Sequence, residues 1–403
     1  MARLRRRIRS LLRQSADVIP WSALYPPTPQ PRMKAQASSR PRSPFSLLAV
    51  ALAGAILAVP DASGQGCIAV RGGGQCSLGN MGEAGQGYLQ PGDWQLALNY
   101  RFLHSDHHFI GDQEFNTPAQ RGAEAINDSS FIDLSIIYAV NSRFSIGLTL
   151  PFSESVRSTT YEHDNIHRHD TSAAGLGDIR LTAYFWLLDP KTHPKGNISL
   201  GLGPKFPTGD YRATDTFYTL LGPRTLAVDP SIQPGDGGFG FSAEFQAFRE
   251  ISPRWSAYAQ AFYLFNPQNT NGVSLPSGPV AGVLGPVTSI ADQYSARLGV
   301  TFALLPKYGL SLSLGPRVDG VPPDDAIGGS DGFRRPGYAL SIEPGLAWSH
   351  GRWSASLTIP VAVHRERVRS NEDKKVSALR NIYSVGDAAF ADWFLTFSLS
   401  RRF

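Results

Sequence analysis

The sequence predicts an all-β protein: a closed, antiparallel, up-and-down transmembrane barrel of about twelve strands, with short turns at one end and long loops at the other. Three observations predict it. Beyond residue 90, apolar and polar residues alternate with period two. The connections between these runs are long and short by turns. An export-type leader precedes them all.

The leader comes first in the chain. After Met33 come Lys34, Arg40 and Arg42, the apolar run FSLLAVALAGAILAV (45–59) and the small residues Ala62-Ser63-Gly64. This is the charge, apolar core and cleavage site of a secretory signal over 33–64. Its core is shorter than the ~20 residues of a spanning helix. Residues 1–32 read as a gene-model extension; an unusually long n-region or an organellar transit peptide are the other readings. Up to residue 64 there are ten Lys/Arg against two Asp/Glu, and after it 28 against 31. The pI of 9.2 therefore belongs to the leader and gives no reason to expect nucleic acid as a partner. Charged residues are 18% of the chain, below the ~25% usual in soluble proteins. A mean hydropathy of −0.18 excludes a helical membrane protein. Residues 65–91 form a Gly-rich segment ahead of the barrel, expected in the periplasm or in the lumen as a plug. There Cys67 and Cys76 can pair across CIAVRGGGQC in an oxidising compartment, or stay as thiols.

The barrel is expected over 92–403. In WQLALNYRF, Trp94, Leu96, Leu98, Tyr100 and Phe102 share one face, and Gln95, Ala97, Asn99 and Arg101 the other. The same pattern recurs near 130–140, 143–156, 176–188, 196–206, 238–250, 254–266, 291–304, 308–319, 336–349, 352–366 and 389–403. Five connections are short (AVNSR, DPKTHPKGN, REISPR, LLPKYG, SHGR). Six are long, near 105–129, 157–175, 207–237, 267–290, 320–335 and 367–388. A soluble sandwich has no reason to sort its loops by parity; an outer-membrane barrel does. An even strand number leaves both barrel ends on the periplasmic side. Lipid forces closure, because an open edge would strand backbone N–H and C=O groups in hydrocarbon. Trp94, Tyr138, Trp255, Tyr338, Trp348, Trp353 and Trp393 fit interfacial girdles. The last run, FLTFSLSRRF, is expected to close the barrel on the first. Phe403 resembles the terminal signal read by bacterial barrel-assembly machinery, although Arg401 departs from that pattern.

In such a barrel the polar phase lines the lumen. It holds Arg101, Asp133, Arg180, Lys205, Glu244, Arg297, Arg317, Glu343, His364, Glu366 and Asp392. Basic and acidic groups balance, so strong selection for one sign of solute is not expected. Two readings follow: mutually satisfied ion pairs that fill the barrel, or a constriction that sorts small solutes. The companion glycines are Gly147, Gly201, Gly203, Gly299, Gly315 and Gly345.

Two stretches carry a resemblance. GLGDIRLTAYFWLL (175–188) precedes GLGPKFPTGDY (201–211), and RFLHSDHHFIGDQE (101–114) lies upstream. The spacing of GLGDI and KFPTGD resembles the outer-membrane transporter family named after the MetA pathway of phenol degradation. The resemblance implies a bacterial outer-membrane barrel passing small, often aromatic or hydrophobic compounds. Its matching positions are Gly177, Asp178, Lys205, Pro207, Thr208, Gly209 and Asp210. Pro207 to Asp210 read as a rim turn that shapes the barrel as readily as it binds a solute.

Six of the nine histidines fall in the first two outward loops: His104, His107 and His108, then His163, His167 and His169, with Glu162, Asp164 and Asp170 beside them. Imidazole with carboxylate suits zinc or copper, and exposed loops also carry histidine freely. The alternative function is therefore a non-transporting surface protein that binds a divalent metal or a partner through these loops. An enzyme is not expected. There is no Gly-x-Ser-x-Gly turn, no phosphate loop, and His104-Ser105-Asp106 lacks the Ser-Asn-Gly that follows in outer-membrane phospholipases. No cofactor is expected. The expected partners are outer-membrane lipid, the assembly machinery and a small solute.

Overall fold

The computed structural model describes residues 88–116, 122, 124–276 and 284–403. The expected segments 1–32 and 33–64, most of 65–91, and the Cys67–Cys76 pair lie outside the described residues.

Period-two sequences made strands where they were expected. The barrel strands are β1 (Trp94–Ser105), β2 (Ile126–Ala139), β3 (Phe144–Thr159), β4 in two arms (His169–Leu176 and Arg180–Trp186), β5 (Gly196–Lys205) and β6 (Gly240–Ser252). They continue as β7 (Trp255–Phe265), β8 (Gln293–Leu305), β9 (Leu310–Val321), β10 (Gly337–His350), β11 in two arms (Trp353–Thr358 and Val361–Arg367) and β12 (Phe394–Arg402). Fourteen hydrogen-bonded segments thus make 12 antiparallel staves. The sheet closes where β1 meets β12, from Gln95 opposite Arg402 to Leu103 opposite Phe394. Phe403 adds one more bond, its N–H donating to Trp94 O at 2.8 Å.

Burial alternates along each stave. Leu96, Leu98, Ile146, Leu200, Leu202, Leu298 and Leu346 are exposed on the outside, while Gln95, Asn99, Ser135, Thr149, Ser199, Gln246 and Gln260 are buried inside. A continuous apolar outer surface on a closed sheet is the construction of a bacterial outer-membrane barrel, since every backbone group is satisfied within the ladder. Rings cluster at both rims. Trp94 packs on Tyr138 and Trp255 on Phe302 at the end of the short turns; Tyr263, Phe265 and Phe241 pack together at the other end. Arg401 lies outside near the first rim, over the rings of Trp353 and Phe403, so its charge sits at the interface.

Three irregularities depart from the expected pattern. The run expected at 176–188 is broken: the upper arm of β4 pairs with β3 through Phe152–Thr159, and the lower arm pairs with Phe144–Thr149. Pro151, which has no N–H to give, sits at the switch. β11 breaks at Ile359-Pro360, and its upper arm carries a bulge at Val363, where Ser341 pairs with Ala362 and Leu340 with His364. The stretch expected to begin the last strand at 389 instead forms a separate short strand, Ala388–Phe390. It pairs with His107–Ile110 from the first outward loop. Phe109 and Phe390 pack there against the inward-facing Ala339. The first and last outward loops therefore fold back into the barrel mouth. The last also carries the helix α1 (Asn371–Arg380), started by a capping box between Ser370 and Asp373.

Candidate functional site

The site is the lumen, built upward from its inward side chains. At the end of the short turns, the inward Trp186 and Phe248 meet Tyr88, whose ring centroid lies 5.1 Å from that of Trp186 and 6.0 Å from that of Phe248. The Tyr88 hydroxyl donates to His193 O at 2.8 Å. The three described residues ahead of the first turn, 88–90, thus seat an aromatic ring in the periplasmic mouth. Just above, Tyr184 lies flat over the wall: a Cβ on Gly147 or Gly201 would come within 2.9 and 2.8 Å of its ring. These glycines are inward because a large ring needs their place. The Tyr184 hydroxyl donates to Glu244 Oε2 at 3.0 Å.

The middle of the lumen is a charge network. Glu343, 1% exposed, accepts from Arg297 Nη1 at 2.6 Å and from Arg317 Nη1 at 2.9 Å. Arg297 also donates to Gln260 Oε1, and Arg317 grips Asp319 with two bonds of 2.7 and 2.9 Å. Arg101 stacks over Phe131 at 4.6 Å, and Arg180 over Phe262 at 5.2 Å; both bear electrostatically on the inward Asp133. Lys205 donates to Asp236 at 2.5 Å and lies 3.6 Å from Asp178. Asp392 precedes β12 and sits 3.9 Å from Arg365. Paired charges thus project into the lumen at this level.

Two expected lumen residues, His364 and Glu366, are corrected. Glu366 lies opposite Tyr338, on the outward face with His364, and accepts from the Tyr338 hydroxyl at 2.7 Å. The extra residue Val363, opposite the Leu340/Ser341 step, reverses the parity of the upper arm of β11, so Arg365 and Arg367 point inward instead. Other inward groups were missed because they lie in the long connections. Arg157, 1% exposed, binds Glu162 and Asn127; Arg335 forks onto Asp229; Arg334 forks onto Asp325. Although burial works against its ionisation, Arg157 and Arg335 hold the Asp229 carboxyl well below the usual range.

The GLGDI and KFPTGD stretches meet at the β4 break. Thr208 Oγ1 donates to Gly177 O and accepts from Ile179 N–H; Asp178 accepts from the N–H groups of Gly209 and Asp236. A Cβ on Gly209 would lie 2.7 Å from Gly235 Cα and 2.9 Å from Gly177 Cα. These motif residues therefore lock an interrupted stave to the third outward loop. Pro207 and Asp210 belong to the same turn, with Asp210 O accepting from Gly235 N–H.

Two cavities stack above the network. The outer, about 100 Å³, is lined by Tyr211, Val228, Val273, Phe333, Arg334 and Arg335 among others. The inner, about 30 Å³, is lined by Phe131, Asp133, Arg180, Lys205 and Leu264, and both share Asp236 and Gln293.

The histidines separate into two groups. His104 pairs with Asp128 at 2.7 Å, His107 with Glu114 at 2.6 Å and His108 with Asp387 at 2.5 Å. Asp106 lies 3.7 Å from His104 and 3.6 Å from His107. Among the described residues, only Asp164, His167 and His169 converge as a metal-competent group. The first-loop histidines, expected as candidate ligands, do not join it.

No family model matches the chain, and no curated protein matches it. Among solved structures, an outer membrane channel from Pseudomonas putida F1 is similar at a TM-score of 0.53 and 13% identity, over 82% of this chain and 100% of that one. The P. putida toluene transporter TodX is similar at 0.41 and 13% identity, over 85% and 99%. The beta domain of the Bordetella autotransporter BrkA is similar at 0.40 and 13% identity, over 77% and 100%. The first likeness is one of fold: a closed antiparallel barrel.

Proposed function

We propose that this protein is an outer-membrane channel that passes small solutes, aromatic or hydrophobic ones among them, through a narrow charged lumen. The observation that carries the reading is the pair of stacked cavities sharing Asp236 and Gln293, which lead from the outward loops to the charge network. Rings and aliphatic side chains line them beside fixed cations: Phe333 with Arg335 above, Phe131 and Leu264 with Arg180 below. A cavity of about 100 Å³ suits a molecule no larger than a single ring, since an engineered apolar cavity of ~150 Å³ accepts benzene. The sequence resemblance to the MetA-pathway transporter family and the barrel likeness to a P. putida outer membrane channel support the same reading.

In this reading Arg101, Asp133, Arg180, Lys205, Glu244, Arg297, Arg317, Glu343 and Asp392 form the selective constriction. Five cations against four anions leave little net charge with which to repel either sign of solute. Outer-membrane lipid covers the apolar band, and the assembly machinery reads the end of β12 at Phe403. The test is reconstitution of the barrel in planar bilayers and in liposomes loaded for uptake. Uptake of phenol-sized compounds, lowered by Arg180→Ala, is expected. Neither conductance nor uptake from correctly folded protein would end the proposal.

A further inference from the structure

We propose that Asp164, His167 and His169 form a binding site for a borderline divalent cation, zinc or copper(II), on the second outward loop where it meets the third. One ligand atom from each residue lies within 4.8 Å of the other two. Two imidazole nitrogens with one carboxylate oxygen suit zinc or copper; calcium and magnesium take oxygen ligands instead. Three protein ligands leave a further position for water or a small anion.

Each ligand is positioned by something other than the cation. Asp164 Oδ1 accepts from the N–H groups of Ile166 and His167, each at 2.8 Å, and Oδ2 lies 2.7 Å from His167 Nδ1. His167 Nδ1 and Asp164 Oδ2 face each other across a shared hydrogen, and a cation taking that hydrogen's place would be ligated by both atoms. His169 opens the upper arm of β4, and its ring stacks on Tyr218 at 4.4 Å. Tyr218 lies in the third-loop strand Thr214–Thr219, so His169 is the rigid member. His167 is 70% exposed and can close the remaining distance to the ~2 Å of a metal–nitrogen bond.

His163 is the independent witness. It is fully buried and stacked on Phe217, with its ring centroid 5.1 Å from that of His169. Its Nδ1 accepts from Tyr218 N–H at 3.1 Å, so a neutral ring carries its hydrogen on Nε2. That Nε2 is buried and has no hydrogen-bond partner among the described residues. His163 is therefore excluded as a ligand, although it belongs to the same histidine run. A buried donor without an acceptor is destabilising. Water or an anion on a bound cation is the kind of acceptor that would satisfy it.

The experiment is calorimetric titration of the folded barrel in detergent with zinc sulfate and, separately, copper sulfate, plus spin resonance of the copper form. One equivalent is expected, with nitrogen hyperfine structure from two imidazoles. His167→Gln and His169→Gln should each weaken binding at least tenfold, and His104→Gln should leave it unchanged. His167 is mostly exposed, so His167→Gln tests the site without threatening the fold; heat-modifiable migration on gels checks each variant. No saturable binding by the wild type overturns the proposal. So does unchanged binding in His167→Gln, or a loss in His104→Gln instead. These readouts do not involve transport, so the site and the channel stand or fall separately.

Discussion

Replacing Glu343 by glutamine tests the lumen network directly. The carboxylate lies between two guanidiniums, with contacts of 2.6 and 2.9 Å. At an effective dielectric of 20, two charges ~4 Å apart attract by about 4 kcal/mol. Two such attractions stand against several kcal/mol for drying the carboxylate. Glutamine keeps the volume and removes the charge. Arg317 then keeps Asp319, and Arg297 keeps the neutral Gln260. The loss should therefore fall mainly on Arg297, at about 3–5 kcal/mol, the usual cost of breaking a buried pair from one side. The double variant Arg297→Met, Glu343→Leu removes both charges and leaves Arg317 neutralised by Asp319. It should return to within about 1 kcal/mol of the wild type, because apolar replacements of a buried pair are often neutral. Urea unfolding of the barrel in lipid vesicles, followed by tryptophan fluorescence, reads both. A Glu343→Gln change below about 1 kcal/mol, or a double variant as unstable as the single one, refutes the reasoning.

Three further outcomes are expected. Tyr88→Ala removes the ring packed on Trp186 and Phe248 and should raise conductance in planar bilayers; an unchanged current would count against a seal at the periplasmic mouth. Gly209→Ala forces a methyl against Gly235 and Gly177 and should cost about 1–3 kcal/mol by overpacking, read as a lower urea midpoint. Asp229 has a depressed folded pKa beside Arg157 and Arg335, so the stability it contributes is complete above the unfolded carboxylate value of ~3.9 and is lost only as pH falls below it. Protection factors against hydrogen exchange in residues 207–239, each referred to the intrinsic rate at its pH, should therefore stay constant from pH 7 to 5 and fall below about pH 4; a fall already at pH 6 would point to another group.

The number of staves, their direction, the side that meets lipid and most of the inward residues were legible in the sequence. Lipid on one face and a polar lumen on the other impose period two on every stave, and that signal is local to each run. Trp94 to Phe102 outward and Gln95 to Arg101 inward follow from nine consecutive letters. The loop parity follows because one end has only turns to make. Only the tertiary structure decided what interrupts this rule or lies beyond it. One bulge at Val363 sends Glu366 outward and Arg365 and Arg367 inward, since a single extra residue inverts every side chain after it. The β4 break depends on Pro151, Asp178, Thr208 and Gly209 meeting across three segments. The pairing of His107–Ile110 with Ala388–Phe390 joins residues some 280 positions apart. The choice of Asp164, His167 and His169 over the first-loop histidines rests on which carboxylate each ring meets in space. Periodicity reports the environment of a face, and contacts between loops have no period to report.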